Sequence, residues 1–120
     1  MILMIAAAVA AMQEPPLLSG PPSAEQFQWA RRALNAQMID YPSARFRDVH
    51  ADRRKLCGDV IGKTRRGGYA GWQRFVVMGV EGSPADLEGS EDFDGMVALL
   101  CDGPEAPPRT RDYSDRLKGG

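Results

Sequence analysis

Apolar residues recur at steps of three and four from Phe27 through Ala30, Leu34 and Met38 to Tyr41, while Gln28, Arg31, Arg32 and Asn35 lie off that stripe. This period predicts an amphipathic helix with one face to bury. Ser23, with Gln26 three residues later, has the form of a capping box at its start. Pro42 sets its end, because proline disfavours helical geometry in the residue before it.

Beyond Pro42 the pattern becomes that of strands. Residues 44–50, 55–63 and 72–80 are strand candidates, and residues 64–71 form a glycine-rich hairpin connection between the second and third. The third strand is apolar on both sides, with Trp72, Val76, Met78 and Val80 on one face and Phe75 and Val77 on the other. Both faces therefore need cover, from helices or from a terminal segment turned back over the sheet. After a turn at Gly82-Ser83-Pro84, Ser90 precedes Glu91 and Asp92, and Phe93, Met96, Val97 and Leu100 follow at helical spacing. A serine cap with carboxylates in the first turn predicts a short second helix that ends at Cys101. The fold class expected is α+β, with an N-terminal amphipathic helix on a small antiparallel sheet of three to four strands and a short C-terminal helix.

The two ends lack this periodicity. Residues 1–11 are an unbroken apolar run, shorter than the roughly 20 residues needed to span a bilayer. With small residues at Ala8 and Ala10, the run reads as a signal peptide cleaved after Ala10 or Ala11, although no Lys or Arg precedes it. Residues 12–22 read as a linker, residues 23–102 as one domain, and the Pro-, Gly- and charge-rich residues 103–120 as a disordered tail.

Cys57 and Cys101 are the only cysteines. An even count behind an export signal predicts a disulfide and a periplasmic or secreted protein. Closing a loop of this size contributes about 4 kcal/mol in the chain-entropy model, a large share for a domain this small.

Net charge is −1, but it is unevenly placed. Residues 21–80 hold eleven cations against five carboxylates, and residues 81–120 hold four against ten. Arg65 and Arg66 stand at the hairpin tip with Tyr69 and Trp72 beside them, a cationic and aromatic group suited to an anionic or ring-bearing partner. In an exported protein that partner is a component of the cell envelope, protein or anionic polymer, and not nucleic acid. The bland alternative is that the acidic half folds over the basic half and neutralises it.

Catalytic signals are weak. His50, the only histidine, lies near Cys57, but a nucleophilic pair also needs an orienting group and an oxyanion site. Asp48, His50 and Asp52 form the alternative constellation, that of a small hydrolase-like or inhibitory domain. Their spacing does not match a closed zinc site. Gly62-Lys63-Thr64 imitates the end of a phosphate-binding loop, but Cys57 stands where its first glycine belongs. No catalytic residue, metal ligand or cofactor is assigned, and the function expected is that of a non-enzymatic binding or accessory module.

One resemblance bears on the fold. Asp40, Pro42, Ser43, Ala44, Phe46 and Arg47, then Cys57, Gly58 and Val60, then Gly67, Tyr69, Gly71, Trp72, Arg74 and Phe75 occur in an order that resembles a family of small exported proteobacterial proteins with no assigned activity. Tyr41 intrudes before Pro42, and Thr64-Arg65-Arg66 replaces the Asn and Ser of that family's loop. The resemblance implies a shared fold and transfers no chemistry.

Overall fold

The computed structural model describes residues 20–63, 71–89 and 94–118. The expected signal peptide, the hairpin residues Arg65, Arg66 and Tyr69, and the cap Ser90 with Glu91 and Asp92 lie outside the described residues. Helix α1 spans Ala24–Gln37, strands β1 to β4 span Arg45–Ala51, Lys55–Ile61, Gln73–Met78 and Ala85–Leu87, and helix α2 spans Asp94–Asp102. The strands form one antiparallel sheet in the order β1-β2-β3-β4. Among the described residues no helix is long and apolar enough to cross a membrane.

Helix α1 begins with a reciprocal capping box. Gln26 N donates to Ser23 Oγ at 3.2 Å and Ser23 N donates to Gln26 Oε1 at 2.8 Å. The buried Gln26 also donates from Nε2 to the Asp52 carbonyl at 2.8 Å, which ties the helix start to the β1–β2 turn. The helix ends at Gln37, earlier than the apolar period suggests. Ile39 N donates instead to the Lys63 carbonyl at 2.8 Å, so the chain leaves the helix to pair beside β2. Tyr41 then sits in a 3-10 turn, Tyr41–Ser43, with its ring buried in the core.

The sheet has a core on each face. Phe46, Val49, Ala51, Leu56, Val60, Phe75, Val77, Ala85 and Leu87 join Phe27, Ala30 and Leu34 of α1 on one side. Cys57 and Val76 join Val97 and Cys101 of α2 on the other, with Met78 and Leu100 packed alongside. Gly58 is required by the first core, because a Cβ there would lie 2.9 Å from Val49 Cγ2 and 3.0 Å from the Phe75 ring. The Cys57–Cys101 disulfide joins the middle of the sheet to α2 at a Cα separation of 5.8 Å.

The disordered tail expected over residues 103–120 is corrected by the structure. Leu117 is wholly buried, Tyr113 lies 5.4 Å from the Phe27 ring, and the Tyr41 hydroxyl donates to the Leu117 carbonyl. Burial raises the Tyr41 pKa well above the usual phenol range, against a small lowering from Arg31. Periodicity misses such a segment because a few anchor side chains, not a repeating face, hold it. The segment covers the edge strand β1: Tyr113 N donates to the Val49 carbonyl at 2.8 Å, and Val49 N donates to Asp112 Oδ1 at 3.1 Å. Backbone groups that an edge strand would leave open are thereby paired.

Asp112 makes this strap pH-sensitive. Burial works to raise its pKa, but hydrogen bonds from Ser114 and from the backbone of Val49 and Asp48 together bring it below the usual carboxylate value. A carboxylate whose pKa is lower folded than unfolded contributes stability above the unfolded value of about 4, and that stability is lost as pH falls through the folded value. Asp112→Asn should therefore cost about 1 kcal/mol at neutral pH, the low end for a charged acceptor open to water. Urea unfolding across a pH series checks this, and the gap between variant and wild type should close in acid.

Candidate functional site

The strand β1 does not keep a constant phase. Arg45, Phe46 and Arg47 pair with Ile61, Val60 and Asp59, whereas His50 and Ala51 pair with Cys57 and Leu56, so the register slips by one residue between Arg47 and His50. Asp48 supplies the slip with a φ of +53°, a left-handed conformation that aspartate tolerates better than most residues. Such a slip exchanges the faces of every residue after it. Val49 and Ala51 thus enter the α1 core, and His50 is turned to the α2 side beside Cys57.

His50 is 4% exposed. Its Nδ1 lies 2.8 Å from the Asp48 carbonyl, which can only accept, so Nδ1 carries a proton, and in the neutral ring Nε2 keeps the lone pair. Nε2 is buried and has no hydrogen-bond partner among the described residues. Leaving such an atom unpaired costs about 1–3 kcal/mol.

Helix α2 packs on β3 and β4, so it leaves the β1 half of this face to polar side chains. Arg47 Nε donates to Asp59 Oδ2 at 3.1 Å, and its guanidinium lies 4.1 Å from the centre of the Trp72 ring. One strand further, Arg74 makes a bidentate pair with Asp102 at 2.6 Å through each nitrogen, and Arg109 Nη2 reaches Asp102 Oδ1 at 3.5 Å. The hydrogen bond from Arg74 is the main cause holding the Asp102 carboxyl below the usual range and raising Arg74 itself. Between these groups and His50 lies a cavity of about 190 Å³, walled by Asp48, His50, Asp59, Arg74, Asp102 and Arg109. A smaller one of about 100 Å³ adjoins it at Asp48, His50 and Arg109 and extends to Arg111 and Asp112.

The residues proposed from sequence are distributed unevenly over this face. Cys57 and Cys101 are bonded to each other, so neither is a free nucleophile. Trp72 lies on the face beneath Arg47, next to Gly71, whose φ of +79° begins the return from the hairpin. The Asp48, His50 and Asp52 constellation is not assembled: Asp48 meets the ring through its carbonyl, while Asp52 Oδ1 accepts from Arg54 N at 2.8 Å and Lys55 N at 3.0 Å to cap the β1–β2 turn. Among the described residues no group of three His, Cys, Asp or Glu is placed to hold a metal ion. Arg47 and Arg74 enter the sequence reading only through the family resemblance, with no functional role, and Asp102 and Arg109 do not enter it. The one local signal was the spacing of Phe46 and Val49, three apart inside a strand, which betrays the bulge.

Charge neutralisation between the two halves occurs in part. Arg74 with Asp102 and Arg32 with Glu81, at 3.9 Å, pair the basic and acidic regions. Arg45 and Lys63, at the end of the sheet where the β2–β3 hairpin begins, make no ion pair among the described residues. Comparison of the chain with protein-family models, curated proteins and solved structures found no match.

Proposed function

We propose that this chain is a non-enzymatic, exported binding module that engages a phosphate-rich anionic surface of the cell envelope through the β2–β3 end of its sheet. The observation that carries this reading is the Arg47 guanidinium held 4.1 Å over Trp72, with Arg45 two residues along the same strand face. A stacked cation beside unpaired ones suits a flat anionic surface, because the aromatic ring supplies contact area and the guanidinium supplies donors. Arg65, Arg66 and Tyr69 extend the same chemistry along the chain from Lys63 to Gly71. The disulfide fits an oxidising compartment, which supports export.

Exposed charges more than a Debye length from their target are screened by salt, so retention on this surface should fall as ionic strength rises. Arg65→Ala/Arg66→Ala should reduce retention of the oxidised protein on isolated envelope fractions several-fold at low salt, and the difference should vanish at high salt. Equal retention of variant and wild type across the salt series would remove this surface from consideration.

A further inference from the structure

The cavity beside His50 adjoins the Arg47–Asp59 pair but has its own chemistry. Two hydrogen-bond acceptors belong to its lining: Nε2 of His50, buried and without a partner among the described residues, and the exposed Asp48 carboxylate, which has no cation partner among them. Asp59 and Asp102 differ from Asp48, because Arg47 and Arg74 already engage them. Two loosely held cations stand nearby, Arg109 bordering both this cavity and the smaller one that adjoins it, and Arg111 bordering the smaller one. Arg109 has a single 3.5 Å contact to Asp102 and a side chain 57% exposed, and Arg111 rests 5.0 Å from the Tyr113 ring with no ion pair among the described residues.

A single water would satisfy Nε2 but would occupy about 30 Å³, far less than the 190 Å³ present. A plain anion would meet Arg109 and leave Nε2 and Asp48 unsatisfied. A plain ammonium would do the reverse. Acceptors and donors gathered around these two adjoining cavities match a ligand with both an N–H donor and a carboxylate, and the modest volume admits only a small one. We propose that this cavity binds a small α-amino acid as its zwitterion, the ammonium donating to His50 Nε2 and the Asp48 carboxylate and the carboxylate accepting from Arg109 and Arg111. Nε2 lies beneath the surface, and in this proposal the weakly held Arg109 is the part of the lining that moves to admit the ligand.

The polar frame is built by backbone rather than by chance side-chain contact. Proton placement on Nδ1 follows from the Asp48 carbonyl, the carbonyl's direction from the bulge, and the bulge is braced by Asp112. An imidazole kept in one tautomer by such a contact presents a fixed lone pair.

The test is to follow the His50 ring nitrogens by NMR while the oxidised full chain is titrated with glycine, and separately with acetate and with methylammonium at matched ionic strength. The expected result is a saturable shift of Nε2 with glycine, with each half-ligand weaker by about tenfold or more. Arg109→Ala, a surface change that leaves the core intact, should weaken glycine by about tenfold without altering the thermal midpoint. Asp48→Asn should weaken glycine and methylammonium but not acetate. The proposal is overturned by the absence of a saturable shift, which would mean water alone at Nε2. It is equally overturned by acetate binding as tightly as glycine, which would mean an adventitious ion only, or by Arg109→Ala binding glycine as wild type does. None of these results bears on retention at the hairpin end, whose residues the titration leaves untouched.

Discussion

Replacing Cys57 and Cys101 together by alanine should lower the unfolding free energy by about 4 kcal/mol, measured by denaturant unfolding of purified protein. The bridge spans 44 residues of sequence and joins the central strand β2 to α2, so its loss both frees a long loop and unfastens a helix. Among the described residues the other ties of that helix are few, a small apolar cluster and the Arg74–Asp102 pair. Its core is Val97 and Cys101 against Cys57 and Val76, with Met78 and Leu100 at the margin. In a domain of this size the change should lower the melting temperature by more than about 15 °C, and circular dichroism should show helix lost in the same transition. Reduction of wild type should reproduce the effect. Equal midpoints for oxidised and reduced protein would mean that the bridge does not hold the fold.

Leu117→Ala should cost about 3 kcal/mol, and ending the chain after Arg111 should abolish the cooperative transition. Leu117 is wholly buried among the residues that α1 and the sheet contribute, and its carbonyl accepts from Tyr41. Truncation would also strip Asp112 and Tyr113 from Val49 and expose the edge of β1. Lys118→Ala, at an exposed position in the same segment, should change stability by less than about 0.5 kcal/mol. Thermal unfolding of the three proteins side by side separates a structural strap from a dispensable tail. A truncated chain that melts like wild type would restore the disordered reading.

Much of the architecture was legible because it rests on repeating patterns. The antiparallel strands follow from alternation and glycine-rich turns, and the need to cover both faces followed from Phe75 and Val77 opposite Val76 and Met78. The strand 85–87 is too short to announce itself, and only its pairing with Phe75, Val76 and Val77 defines it. The terminal strap was missed because Tyr113 and Leu117 are isolated anchors in a stretch whose composition is that of a loop. The polar site was less legible still. Arg74, Asp102 and Arg109 lie far apart in sequence and meet only because the disulfide sets α2 on the sheet and the strap turns back from it. Nothing in the sequence marks His50 as buried. It is buried because Asp48 inserts one residue into the strand, a local event that moves every later side chain to the opposite face.

That same bulge separates the two surfaces. Arg47, before it, belongs to the hairpin end and stacks on Trp72, while His50, after it, belongs to the cavity that Arg109 also lines. The binding reading rests on the first of these, and Trp72 can report on it directly. Trp29, on the far side of the sheet in α1, is the other tryptophan, so Trp29→Phe leaves Trp72 as the sole indole. Fluorescence of that variant should be titrated with vesicles of anionic phospholipid and, in parallel, of neutral phospholipid. The account predicts a shift in Trp72 emission with anionic vesicles alone, reversed by salt; emission unchanged by either vesicle would contradict it.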